Sequence, residues 1–72
     1  MEAYQERVKI ELEELIQKVE KLDKFLESPI AKTTEEVSLS LMKQQLHYMT
    51  MYAGVLSARV AVFKSQESKK EV

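Results

Sequence analysis

Apolar residues recur at Val8, Leu12, Leu15, Val19, Leu22 and Leu26, with gaps of 4, 3, 4, 3 and 4. That alternation holds one stripe on one side of an α-helix for nearly three heptads, and it predicts a helix over about residues 2–27. Ile16 and Phe25 flank the stripe. Glu6, Glu13, Glu14, Glu20, Lys21, Asp23, Lys24 and Glu27 fill the other side. Ser28-Pro29 then stops the helix, because proline has no amide proton and pushes the residue before it out of the α region. Residues 28–33 form the turn. Thr33 with Glu36 three residues on reads as a capping box, with Thr34 as the competing cap. A second helix is predicted over about residues 34–64. Its first stripe is Leu39, Met42, Leu46, Met49, Ala53, Leu56, Val60 and Phe63; a second runs through Leu41, Tyr48, Tyr52, Val55 and Val62. The last eight residues, SQESKKEV over 65–72, are polar and aperiodic and are expected to be disordered.

Two helices joined by a short connection pack antiparallel. The expected fold is therefore all-α: one domain over residues 1–64, an antiparallel two-helix hairpin. The first helix can cover only one of the two stripes on the second. A chain of 72 residues has little core, and it carries no cysteine for a disulfide. Assembly into a homo-oligomeric helical bundle is the expected remedy. Gly54, Ser57, Ala58 and Ala61 add a patch of small residues that suits close helix contact or simply tolerates exposure.

Composition narrows the function. At 44% hydrophobic and 32% charged the chain is too apolar to be disordered, and a net charge of -1 argues against a basic DNA-binding surface. No apolar run approaches a membrane span, and the start MEAYQERVKIE does not read as a signal peptide. A soluble intracellular protein is expected. No phosphate loop, nucleophile elbow or metal motif appears, and His47 is the single histidine. No enzymatic activity, metal or cofactor is expected. Two features stand out. Tyr4, Arg7 and Lys18 fall along one edge of the first helix, pairing an aromatic face with two cations, as a nucleotide's base and phosphate require. The plain alternative is surface charge and a terminal aromatic packed on a neighbour. Arg59 interrupts the second stripe, where a cation is costly unless it finds a carboxylate of the first helix or an anion.

The stretches Tyr4-Gln5-Glu6-Arg7-Val8, Glu11-Leu12-Glu13-Glu14-Leu15 and Leu22-Asp23-Lys24-Phe25-Leu26-Glu27-Ser28 carry a family likeness. So do Gln45-Leu46-His47-Tyr48-Met49, Tyr52-Ala53-Gly54-Val55-Leu56, Arg59-Val60 and Phe63 in the second helix. From about Tyr4 to Phe63 the chain resembles the phage anti-CBASS cyclic-nucleotide sponges, CBASS being a bacterial defence that signals with cyclic oligonucleotides. The resemblance implies a hexamer of hairpins in the host cytoplasm. It implies sequestration of cyclic dinucleotides between subunits, without cleavage. It implies dinucleotide contacts from an N-terminal tyrosine, here Tyr4, and from a lysine of the same helix. Lys18 shares Tyr4's side, Lys21 and Lys24 compete for that role, and Arg7 lies between. A cyclic trinucleotide site is implied through Arg59, with Thr33 or Thr34 as the threonine contact. The competing reading is an oligomeric helical adaptor that docks a protein partner.

Overall fold

The computed structural model describes residues 2–71, with side chains through Gln66. Its two helices are α1 (Ala3–Glu27) and α2 (Glu36–Glu71), joined by a 3-10 turn over Pro29–Thr33. No strand occurs among the described residues. The expected two-helix, all-α architecture is present.

The first end of the connection is as expected, with α1 stopping before Ser28-Pro29, and only the start of α2 departs from the expected cap. Glu27 is the last residue of α1. The Ser28 amide and hydroxyl then both donate to the Phe25 carbonyl, at 3.0 and 2.6 Å. Pro29 opens the 3-10 turn, where its fixed φ fits and its missing donor costs nothing. Thr33 is not the helix cap. Its hydroxyl donates to the Ile30 carbonyl at 2.9 Å, and that of Thr34 does the same at 3.0 Å. With both hydroxyls turned back into the 3-10 segment, α2 starts later, at Glu36, and the Leu39 amide closes the first turn on the Glu35 carbonyl at 2.9 Å. At its far end α2 runs past Lys64 to Glu71, where a disordered tail from Ser65 was expected. The tail holds no glycine or proline, and its Gln, Glu and Lys are good helix formers, so nothing local ends the helix.

The hairpin sorts its two stripes by face. Val8, Leu12, Leu15, Val19, Leu22 and Leu26 of α1 are buried or half-buried, as is every residue of the Leu39–Phe63 stripe of α2. The tightest cluster lies near the open end, away from the turn: Val8, Leu56, Val60 and Phe63, with Leu12 and Leu15 against it. Leu56 is the anchor, at 1% exposure. Gln5 is buried beside them because it extends the α1 stripe by one more step of three residues. Its side-chain oxygen accepts the Glu2 amide proton at 3.0 Å, which satisfies one of the free donors at the helix start.

The second stripe has no cover among the described residues. Leu41, Tyr48, Tyr52, Val55 and Val62 are all exposed, as are Val37 and Met51 on the same side of α2. The molecule is a rod of 57 × 16 × 14 Å with a radius of gyration of 16.5 Å. A compact chain of this length has a radius of gyration of about 11 Å. Its accessible surface is 5754 Å² at a mass of 8.4 kDa. A compact monomer of that mass exposes about 4600 Å². Gly54 is exposed too, with open space where a Cβ would stand.

Candidate functional site

At the open end of the hairpin the start of α1 lies against the second half of α2. The Tyr4 ring meets the Phe63 ring nearly at right angles, 87°, with centroids 5.7 Å apart. Edge-to-face is the arrangement that aromatic quadrupoles favour. The Arg59 guanidinium carbon lies 5.9 Å from the Phe63 centroid, within reach of a cation–π contact. Phe63 is buried, whereas Tyr4 is 48% exposed and Arg59 is exposed. The interior ring thus carries two groups that face outward. The Gln5 amide nitrogen stands 3.5 Å from the Tyr4 hydroxyl, a long contact.

Two turns further along α1, the Tyr52 hydroxyl donates to the Glu11 carboxylate at 2.5 Å, bridging the helices. That hydrogen bond, with lesser contributions from desolvation and the Glu11 charge, holds the Tyr52 phenol above its ordinary pKa of 10.0. The Arg59 charge pulls weakly the other way.

These contacts join two surfaces into one face. Around α1, Glu11, Lys18 and Arg7 lie about 20°, 40° and 60° from Tyr4 at 100° per residue. Tyr52 belongs to the uncovered stripe of α2, and its bond to Glu11 brings that stripe beside the Tyr4–Arg7–Lys18 edge. The face therefore carries an aromatic ring, three cations (Arg7, Lys18 and Arg59), the Glu11 carboxylate and a row of exposed apolar side chains.

Not all candidate residues meet there. Tyr4 and Arg59, assigned to separate ligands on the sequence, converge on the same ring. Arg7 is exposed one turn from Tyr4. Lys18 is exposed on the same side but about 21 Å along the axis. Lys24 is exposed on the opposite side of α1, about 160° around from Tyr4. Thr33 sits in the turn, at the other end of the rod from Arg59, with its hydroxyl proton engaged on Ile30. Within one chain, Arg59 and Thr33 do not share a site. Phe63, Glu11 and Tyr52 escaped the sequence analysis as site residues. Phe63 had the spacing of a core residue, and only the pairing of the helices reveals what it touches. Among the described residues no cluster of three or more His, Cys, Asp or Glu is placed to hold a metal. No described helix is long and apolar enough to cross a membrane.

A two-helix rod with one long uncovered face, apolar along α2 and edged by Tyr4, Arg7, Glu11 and Lys18, places the chain in the class of small all-α hairpin proteins. Within that class the family is specific. Residues 2–62 match the Sequestin family, and the chain belongs to it. The match spans both helices and takes in Tyr4, Arg7, Lys18 and Arg59. The chain is also 44% identical, over 64 residues, to a protein of Enterobacteria phage T4 described as an uncharacterized 7.5 kDa protein of the denB-rIIB intergenic region. That alignment covers 89% of this chain and all of the relative. No solved structure matches.

Proposed function

We propose that this chain is a phage counter-defence protein that captures cyclic oligonucleotide messengers and holds them intact, so that CBASS effectors in the host cytoplasm are not activated. The observation that carries this reading is the continuous face on which Tyr4, Arg7, Lys18 and Arg59 lie beside an uncovered apolar stripe. Membership of the Sequestin family and the likeness to a phage protein support it.

The face suits a cyclic oligonucleotide physically. An exposed tyrosine ring stacks on a base, and arginine and lysine pair with the ring's phosphates. The separation of Tyr4 from Lys18, about 21 Å, is too long for one small ligand on one chain. The ligand therefore bridges copies, with Tyr4 from one and Lys18 from another. The same stripe of α2 supplies the contact between copies, and a hexamer is the assembly we favour. The surface in excess of a compact monomer, about 1100 Å² per chain, exceeds the roughly 800 Å² per partner of a standard protein interface. Capture then works by mass action. Free sites at 100 times their Kd lower the free messenger about 100-fold, with no chemical step.

The uncovered stripe also fits a second reading, an oligomeric adaptor whose α2 docks a protein partner. Titration calorimetry against a panel of cyclic dinucleotides and trinucleotides separates the two. Saturable binding, followed by recovery of the unchanged ligand after heat denaturation, is the expected result. Absence of heat and of any thermal shift across the panel refutes capture and leaves the adaptor. Recovery of a linear product refutes holding without cleavage.

A further inference from the structure

We infer that Phe63 is a positioning residue: its buried ring fixes both Tyr4 and Arg59 in the orientations in which they meet ligand. The inference rests on the capture function proposed above. It adds a residue that neither stacks on a base nor pairs with a phosphate itself.

Tyr4 is the second residue of α1, where helices fray, and half of its surface is in solvent. Arg59 projects from a helix surface on a long flexible side chain. Left alone, both would sample many rotamers, and a ligand would pay for ordering them on binding. Phe63 removes much of that freedom in advance. Its ring is 7% exposed and packs in one cluster with Val8, Leu56 and Val60, so its own orientation is set by the core. It meets Tyr4 at 87° and 5.7 Å, a contact across the two helices. Arg59 lies one helical turn earlier on the same helix, its guanidinium carbon 5.9 Å from the ring centroid. One rigid ring thus orients an aromatic group from α1 and a cation from α2. A site supported in this way loses affinity when the supporting side chain is removed, even though every ligand-touching group remains.

The test compares the full-length wild type with Phe63→Leu, which stays apolar but has no ring, and Phe63→Tyr, which keeps the ring. Phe63→Met replaces the leucine variant if that protein melts below the assay temperature. The first readout needs no ligand. Side-chain proton resonances of Arg59 should be shifted upfield by the ring in wild type and in Phe63→Tyr, and should return to ordinary positions in Phe63→Leu. The second is affinity for cyclic GMP–AMP and for cyclic tri-AMP at fixed salt, with oligomer mass measured alongside. Phe63→Leu should bind each nucleotide that wild type binds about tenfold more weakly at unchanged mass, and Phe63→Tyr should stay close to wild type. A leucine variant that melts earlier but binds within twofold of wild type makes Phe63 a core residue only and overturns the inference. So does a wild type without the Arg59 shift. A wild type that binds neither nucleotide refutes the capture reading itself, and the positioning role falls with it.

Discussion

Replacing Val55 by glutamate distinguishes a solitary hairpin from an assembled one by the sign of its effect. Val55 is 58% exposed, in the middle of the uncovered stripe of α2. If the hairpin stands alone, the introduced carboxylate sits in water. Glutamate is a better helix former than valine by a few tenths of a kcal/mol, and the carboxylate faces Arg59 one turn on, in the favourable acid-before-base order, for a similar gain. The isolated rod should therefore melt at the same temperature or slightly higher. If copies meet through this stripe, association buries the exposed part of the side chain. Full burial of a valine is worth about 1.5–3 kcal/mol, so the exposed fraction accounts for about 1–2 kcal/mol per chain. Forcing a charge into that contact costs several kcal/mol more. At 1.4 kcal/mol per decade the association constant should fall by about a hundredfold or more at each contact. The assay is light scattering on a dilution series, with thermal melts at two protein concentrations. We expect an oligomer for wild type, a lower mass for the variant, and a concentration-dependent melting temperature that drops on substitution. A wild type of single-chain mass, together with a variant that melts no lower, refutes assembly through α2 and any ligand pocket shared between copies.

Leu56→Ala should lower the unfolding free energy by about 2–5 kcal/mol, because it empties the best-buried position of the core; a chain this size has only about 4–11 kcal/mol in total, so chemical denaturation should show a marked loss of folded protein. A loss below about 1 kcal/mol contradicts the place of Leu56 at the centre of the cluster. Tyr52 should titrate above 10.0, since its hydrogen bond to Glu11 favours the protonated phenol. The folded value is the raised one, so this contribution is fully present below pH 10.0 and is lost as the pH climbs through the folded value. Phenolate absorbance should show Glu11→Gln moving Tyr52 back toward its ordinary value, and an unchanged titration refutes the bond.

Much of the fold is legible in the residues because helical period fixes which way each side chain faces. The two stripes of α2 were separable by spacing alone, and they divide as that spacing requires: Leu39 through Phe63 face inward, and Leu41, Tyr48, Tyr52, Val55 and Val62 face outward. Even Gln5 follows the rule, three residues before Val8, although its polarity hid it. What period does not encode is the end of an element. Thr33 and Glu36 have the spacing of a capping box, but Pro29 starts a 3-10 turn that takes both threonine hydroxyls to Ile30, and α2 begins later. The helix end was misplaced for the converse reason. Polar residues without a period still propagate a helix when none of them is a breaker.

The site is harder to read than the fold because it depends on axial stagger as well as facing. Facing is local, repeating every seven residues, so each stripe announces itself. Stagger is set by the one connection between the helices, and a shift of one helical turn, about 5.4 Å, leaves both stripes facing inward while changing every pair across them. The turn from Ser28 to Glu35 sets that value here, and with it the pairing of Glu11 with Tyr52 and of Tyr4 with Phe63. Neither pair is visible as a motif, since their members lie 41 and 59 positions apart. The family resemblance gives Tyr4 and Arg59 to two different ligands and so to two sites. Once the stagger is fixed they share a support, and the candidate site becomes a property of the turn at the opposite end of the rod. A change in the length of that turn should therefore disturb the Tyr4–Phe63–Arg59 cluster more than any single surface substitution beside it.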